Sequence, residues 1–162
     1  MSTTVYLSGP ISNMSFKGAS DWRDATASIF NHNGFRVLDP MRGKSFLSNQ
    51  SNIRREVYEA ENNPVLSDKA LVNRDHADVS EADIVLANLL PMARGGGDGP
   101  AGQRVSIGTM FELAWAMHMR KIVVIILDPK SSHNHPFVRE AGVIFHRLDE
   151  AVAYVLSCKV PA

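Results

Sequence analysis

The chain contains almost no cysteine and no long apolar segment. Its single cysteine, Cys158, cannot form an internal disulfide or supply a paired-cysteine metal site. This predicts a reducing, cytoplasmic location. The longest uninterrupted apolar run, at 122–127, is far shorter than the roughly 20 residues that a membrane-spanning helix needs. The first residues also lack the basic and apolar regions of a signal peptide, so we expect no membrane partner.

An excess of charge of either sign is also missing. The chain has 17 Lys and Arg residues against 17 Asp and Glu residues, and the basic residues form no run. Proteins that bind nucleic acid through its phosphates need a basic surface, so no nucleic-acid partner is expected. The hydrophobic share of 44% is that of an ordinary globular protein, and 162 residues predict one domain over 1–162.

Short apolar strands alternate with segments of helical periodicity. Strands are predicted at 3–8, 35–38, 83–90, 121–127 and 143–145. Helices are predicted at 19–33, 53–62, 69–81, 107–119 and 148–157. This alternation predicts an α/β fold, a flavodoxin-like doubly wound domain with about five parallel strands. A barrel of alternating strands and helices is excluded because it would need about 250 residues.

Ligands of such sheets bind beyond the carboxyl ends of the strands, which directs attention to the loops that follow strands. These loops are predicted at 8–16, 39–44, 89–106 and 128–136. The third contains a glycine-rich stretch, 92–104, but its glycines form neither a dinucleotide-binding nor a P-loop pattern. The Gly-x-Ser-x-Gly pattern of serine hydrolases is absent as well.

Glu112 is the first candidate for chemistry because it is the one carboxylate in an otherwise apolar helical segment. Gly108 and Thr109 lie three or four positions away, on the same helical face. A carboxylate on an apolar face is costly unless it is paired or used, although an exposed glutamate on a polar side is the alternative. Ser106 is a good N-cap, and Gly108 lets an anion or a sugar hydroxyl approach the first-turn N–H groups.

Asp75 and Tyr6 are the next candidates. Asp75 precedes the buried strand at 83–90, and the alternative for it is a solvated helix in which Arg74 is its neighbour. Tyr6 shares a strand face with Ser8, and a buried tyrosine hydroxyl needs a hydrogen-bond partner such as a carboxylate.

Two histidines, His133 and His135, flank Asn134 in the loop that follows the fourth strand. Two histidines without a third ligand at metal-binding spacing favour a polar loop over a metal site.

Five short motifs, in this order and spacing, resemble the nucleoside 2-deoxyribosyltransferase superfamily, which includes nucleoside 5′-monophosphate N-glycosidases. They are VYLSGPIS, Arg74-Asp75 with Asp83 eight residues later, DIVLANL, SIGTMFELAWA and HNHPFV. The resemblance implies a flavodoxin-like fold and homodimers or higher even oligomers whose active sites are completed across the interface. It also implies no metal or organic cofactor.

The resemblance further implies a role for each matching residue. Glu112 becomes the nucleophile, Tyr6 orients it, and Asp75 lies near the leaving base. Glu112 then attacks C1′ to form a glycosyl ester, Asp75 protonates the base, and a second base or water releases the sugar. The substrate-binding residues expected around them are Ser8, Gly9, Arg42, Asn88, Ser106, Gly108, Thr109, His133 and Asn134. Arg42, Lys44 and a neighbouring subunit's copy of His133 are expected to supply positive charge or donors.

One departure from the family pattern bears on the substrate. Transferases that act on free nucleosides commonly have a carboxylate six positions before the nucleophile, where this chain has Ser106. A neutral hydroxyl at a helix N-terminus favours a 5′-phosphate, which a carboxylate would repel. Transfer of 2-deoxyribose between nucleobases is the first hypothesis. Hydrolysis of a nucleoside 5′-monophosphate and a non-catalytic nucleotide sensor are the alternatives.

Overall fold

The computed structural model describes residues 2–91 and 105–159, so the loop predicted at 92–104 lies outside the described residues. One sheet contains five parallel strands in the order β2-β1-β3-β4-β5. This is the flavodoxin-like order, with its switch point between β1 and β3. The predicted fold class is confirmed. The strands are β1 (Thr4–Ser8), β2 (Arg36–Leu38), β3 (Ile84–Asn88), β4 (Ile122–Ile126) and β5 (Val143–Phe145).

Within the described ranges, six α-helices connect and cover these strands. They are α1 (Phe16–His32), α2 (Arg55–Ala60), α3 (Asp68–Glu81), α4 (Ile107–His118), α5 (Pro136–Arg139) and α6 (Leu148–Ser157). Short 3₁₀ turns lie at Ser45–Leu47 and Pro64–Leu66. None of the helices in the described part of the chain is long and apolar enough to cross a membrane.

Helices α1 and α2 differ most from their predicted bounds, and hydrogen bonds near their first residues explain where each begins. Helix α1 begins three residues earlier, because the hydroxyl of Ser15 accepts a hydrogen bond from the N–H of Gly18 and caps it. Helix α2 is shorter at both ends than the predicted 53–62. The backbone of Ile53 instead pairs with Asn13 and Met14, at 2.8 and 2.7 Å, and so cannot join the helix.

Successive side chains of each strand point to opposite faces of the sheet, so they belong to two core layers, one on each face. On one face Tyr6, Val85 and Ile125 pack in a layer with residues of α3 and α4. On the other face Val5, Leu86 and others pack against α1 and α6. A third cluster joins the loops after β1 and β2 through Met14, Ala19, Met41, Leu47 and Ile53. These loops are therefore anchored at the carboxyl edge of the sheet.

Candidate active site

The carboxylate of Glu112 lies buried at the switch point, held by two hydroxyl groups of β1. The phenol of Tyr6 donates to Oε1 at 2.8 Å, and the hydroxyl of Ser8 donates to Oε2. Tyr6 and Ser8 are two positions apart on a strand, so both face the layer that contains α4. Glu112 itself is only 8% exposed. The structure therefore brings together three residues that the sequence analysis selected, and fixes both oxygens of the carboxylate.

Burial changes the protonation of this cluster. It raises the pKa of Glu112 to about 7, against the hydrogen bonds from Ser8 and Tyr6, which favour the ionised form. Burial and the charge of Glu112 raise the pKa of Tyr6, so the phenol keeps its proton and remains a donor. Glu112 is consequently poised between its acid and its carboxylate forms near neutral pH.

Arg23, on α1, is a residue of this region that the sequence analysis missed. Its guanidinium is fully buried and donates to the carbonyl oxygens of Leu7, at 3.3 Å, and Gly9, at 2.8 Å. These two carbonyls flank Ser8, the residue that bonds Glu112. Arg23 thus fixes the end of β1, the strand whose hydroxyl groups bond the Glu112 carboxylate.

The surroundings of Arg23 explain how the fold accommodates a buried charge. Asp39, at the end of β2, lies 3.7 Å from its Nε atom, and the ring of Trp22 lies 4.6 Å from its guanidinium carbon. The sequence did contain a signal: Arg23 is four residues after Ala19 and seven before Phe30, on the buried stripe of α1. A charge on such a stripe predicts a buried partner.

Gly9 has no room for a side chain. An added Cβ atom would lie 3.0 Å from the carbonyl oxygen of Asn88 and 3.2 Å from an Arg23 nitrogen. Asn88 is itself buried, and its side-chain oxygen accepts a hydrogen bond from the N–H of Leu90 at 3.1 Å. Both residues shape the edge of the sheet next to Ser8.

On the β3 and β4 side of Glu112 lies a set of polar residues without a carboxylate that we call the hydroxyl end: Ser106, Thr109 and His133. The hydroxyls of Ser106 and Thr109 are 2.9 Å apart, and the N–H of Ser106 donates to Nε2 of His133 at 3.0 Å. Beside them Gly108 is exposed, with open space where a side chain would stand. The first turn of α4 is therefore accessible at Gly108.

His133 is 2% exposed, and its Nδ1 lies 3.2 Å from the hydroxyl of Ser131. Its ring thus contacts groups of its own chain, where the sequence analysis expected it to act on a neighbouring subunit. Asn134 also bonds within its chain, to the carbonyl of Pro129 and the guanidinium of Arg139, each at 2.7 Å. No bond of Asn134 reaches Glu112 among the described residues.

On the β2 side lies the charged end, which consists of Arg42, Lys44, Arg74, Asp75 and Asp78. Arg42 forms a bidentate pair with Asp78, with distances of 2.5 and 2.9 Å. Arg74 lies 3.4 Å from the Asp75 carboxylate and donates to a carbonyl of the loop after β2 at 2.9 Å. Two arginines therefore clamp this loop onto α3. Arg42, expected to bind substrate, is engaged with Asp78.

Lys44 and Asp75 are the partly or fully buried charges inside this clamp. Lys44 is 4% exposed, and its Nζ lies 5.5 Å from the ring centroid of Tyr58. Burial lowers the pKa of Lys44 to about 8, although the negative charge of Asp75 opposes this. Burial raises the pKa of Asp75, while Lys44 and then Arg74 lower it.

A cleft of about 500 Å³ opens between α2 and the start of α3. Tyr58 lines it together with the chain that leads into α3, whereas Glu112, Tyr6 and Asp75 do not. The chemistry-bearing cluster therefore lies elsewhere. Within the described ranges, no three His, Cys, Asp or Glu side chains are grouped to hold a metal ion.

The fold and this buried carboxylate cluster define a class of α/β proteins that bind their ligands at the carboxyl edge of a doubly wound sheet. The family model described as nucleoside 2-deoxyribosyltransferase matches residues 5–151. The chain belongs to this family, as its motifs predicted. The family supports a glycosyl-transferring or N-glycosidase type of activity in broad terms. No curated protein matches the sequence.

Several solved structures share the fold at low sequence identity. The CMP N-glycosidase BcmB of Clostridium botulinum is 15% identical, with a TM-score of 0.52; the match covers 94% of this chain and 98% of that one. A 2-desoxiribosyltransferase from Leishmania mexicana is 15% identical, with a TM-score of 0.58 and coverages of 96% and 97%. The molybdenum cofactor binding protein of Rippkaea orientalis is 14% identical, with a TM-score of 0.54 and coverages of 98% and 98%. Enzymes and a binding protein thus share this architecture.

Proposed function

We propose that the chain cleaves the N-glycosidic bond of a nucleoside or nucleotide, with the Glu112 carboxylate as nucleophile. The observation that carries this proposal is the bonding of both Glu112 oxygens by Tyr6 and Ser8 in a buried position. A buried carboxylate with a strongly raised pKa is unfavourable for folding and typical of a catalytic group. Its place at the switch point of the sheet is where ligands of this fold bind.

In the first step an oxygen of Glu112 forms a bond with C1′ of the sugar while the bond from C1′ to the base nitrogen breaks. The bonding electron pair leaves with the base, and the sugar passes through an oxocarbenium-like state to a glycosyl ester. Tyr6 and Ser8 hold the carboxylate in place, which reduces the entropy lost on reaching this geometry.

Asp75 is the proposed proton donor to the departing base. A base leaves more easily when its new negative charge is neutralised by a proton. Burial raises the pKa of Asp75, which favours the protonated form that this role needs.

The ester is released by an incoming base, which completes transfer of 2-deoxyribose between bases, or by water, which completes hydrolysis. Transfer is the first candidate. The hydrolysis of a nucleoside 5′-monophosphate is the second, and a specific observation favours it: the hydroxyl end is neutral and open beside Gly108. A phosphate dianion fits such a helix N-terminus, whereas a carboxylate in place of Ser106 would repel it.

Product analysis by chromatography tests these proposals. The protein is incubated with deoxynucleosides and with their 5′-monophosphates, each with and without free adenine. Base exchange that requires the added base indicates transfer, and release of base without an acceptor indicates hydrolysis. Ligand binding without turnover, unchanged in Glu112→Ala, would instead support a nucleotide sensor and reject Glu112 as a nucleophile.

A further inference from the structure

Lys44 is a buried cation that the proposed chemistry does not use. We propose that its ammonium donates a hydrogen bond to a carbonyl oxygen of the leaving base, which makes the enzyme selective for bases that carry an oxo group. This inference rests on the proposed function, since it names the substrate class of the same site. Hypoxanthine, guanine, uracil, thymine and cytosine each carry a ring carbonyl, whereas adenine has none.

The two arginines of the charged end already have partners. Arg42 is committed to the bidentate pair with Asp78, and Arg74 to Asp75 and to the backbone of the loop after β2. Across residues 2–91 and 105–159, by contrast, Lys44 Nζ makes no hydrogen bond and no ion pair, although the residue is 4% exposed. The ammonium contacts the ring of Tyr58, 5.5 Å from its centroid, and part of its surface stays accessible, so an acceptor atom of a ligand can reach its three donors.

The loop that carries Lys44 is held against the helix that carries Asp75. The backbone of Lys44 is held next to α3, because Arg42 of the same loop pairs with Asp78 and Arg74 donates to the loop's carbonyls. Asp75 is on α3, one helical turn before Asp78, and the charge of Lys44 lowers the pKa of its carboxylate. Lys44 therefore lies on the side of the site where Asp75 would meet the base.

The phosphate of a nucleotide is not the partner expected for Lys44. The hydroxyl end follows β3 and β4, whereas Lys44 follows β2, and β1 with Ser8 lies between them. A sugar at Glu112 would direct its 5′ group and its base to opposite sides.

The chemistry of the purines supplies a close test. Hypoxanthine presents a carbonyl oxygen at the position where adenine presents an amino group, which is itself a donor there. A donor facing a donor leaves both groups unbonded, and sites built on a hydrogen bond reject such analogues strongly. We therefore expect at least about a tenfold higher kcat/KM for the hypoxanthine substrate than for its adenine counterpart.

Lys44→Met retains the length and apolar stem of the side chain but removes its donors. In this variant the ratio of kcat/KM for the hypoxanthine substrate to that for the adenine substrate should fall at least about tenfold, so that the preference disappears. Lys44→Arg, which keeps a cationic donor, should retain part of the preference. Lys69→Met, at an exposed lysine of α3, is the matched control and should change neither rate.

The nucleoside and the 5′-monophosphate of each base are compared to separate the sources of an effect. A loss in Lys44→Met that follows the phosphate, whichever base is present, would overturn the inference. An equal loss of kcat/KM for both bases would overturn the inference too. Cleavage by the parent protein would still support the proposed function.

Binding to Glu112→Gln, measured by calorimetry, keeps the inference testable without turnover. The hypoxanthine nucleotide should bind at least about tenfold more tightly than the adenine nucleotide, and the added Lys44→Met should abolish the difference. Equal affinities in the Glu112→Gln background reject the role of Lys44. Absence of cleavage with a retained difference in affinity rejects only the proposed reaction.

Discussion

The two ends of the candidate site solve the same problem, the burial of polar groups, in different ways. At the hydroxyl end, Ser106, Thr109 and His133 are bonded to one another through neutral contacts of about 3 Å. At the charged end, Arg42 and Asp78 form a bidentate ion pair, and the ammonium of Lys44 contacts the Tyr58 ring but makes no hydrogen bond or ion pair with a described residue. One end is neutral and satisfied internally, and the other is charged with one donor left over.

This difference has a physical consequence for ligands. Neutral donors at a helix N-terminus attract an anion without a competing carboxylate, whereas a mixture of buried charges favours a neutral, polar group that can meet both a donor and an acid. The phosphate of a nucleotide would thus bind at the hydroxyl end, and its base would bind at the charged end. Glu112, between them, depends on neither end for its hydrogen bonds, which come from β1.

The largest effect on cleavage is expected at Glu112, which lies between the two ends. Glu112→Gln removes the nucleophile and should reduce cleavage by about a thousandfold or more, whichever substrate is used. Rates are measured by chromatographic assay of released base, with the exposed Glu61→Gln as the matched control. Retention of most of the activity in Glu112→Gln would contradict the proposed reaction.

The same variant should be more stable than the parent at pH 8. Folding raises the pKa of Glu112 from its ordinary 4.5 to about 7, so the parent loses stability as the pH rises through this range. The amide has no such loss, and the free energy of unfolding should increase by as much as about 3 kcal/mol. Denaturant unfolding at pH 8 and pH 4 measures it, and the gain should shrink at pH 4. A variant less stable than the parent at pH 8 would argue against the raised pKa.

Removing the acid of the charged end should affect poor leaving groups most. Asp75→Asn retains shape but cannot deliver a proton, and cleavage of a substrate with a poor leaving base should fall about a hundredfold or more. A substrate with an activated leaving group should be affected far less. Equal loss for both substrates, measured as kcat, would point to a structural role for Asp75.

The pH dependence of kcat/KM distinguishes the ionisation of Glu112 from the contributions of the two ends of the site. Attack needs the ionised carboxylate, so kcat/KM should rise with pH through about 7 and be about a hundredfold lower at pH 5 than on the plateau. Asp75→Asn should keep this rising limb, since the limb belongs to Glu112. A limb centred near 4.5 would show that burial does not perturb the nucleophile.

A smaller effect is expected at the hydroxyl end. Ser106→Asp places a negative charge at the start of α4 and should weaken a 5′-monophosphate substrate by about tenfold relative to the corresponding nucleoside. Ser106→Asn, a neutral cap, is the control and should not discriminate between the two. If KM rises equally for nucleoside and nucleotide in Ser106→Asp, the phosphate does not bind at this end.

Much of the fold could be predicted because its signals are local. The apolar runs that became β3 and β4 have the composition of strands buried on both faces, and the predicted α3 and α6 differ from the observed helices by at most one residue. The short α5 was not predicted, because its four residues follow a polar loop and carry too little periodicity. The start of α2 was predicted wrongly for another reason. Ile53 pairs with a loop near position 13, which is 40 residues away along the chain.

The site was predicted unevenly for the same reason. Glu112, Tyr6 and Ser8 could be selected from alternation on a strand and from a lone carboxylate on an apolar helix. Arg42 illustrates the limit, since its charge suggested a ligand, while its partner Asp78 lies 36 positions later and is visible only in the fold.

The sequence by itself determined the alternation of strands and helices, the family and the identity of the buried carboxylate, because periodicity, composition and motif spacing are properties of neighbouring residues. The tertiary structure alone decided which charges are paired and which donor is left unbonded. The contacts concerned join segments far apart in the chain: Arg23 bonds to the backbone on either side of Ser8, His133 bonds to Ser106, and Lys44 lies against Tyr58. Such contacts form only when a sheet brings its carboxyl ends to one edge, and no local pattern encodes their distances.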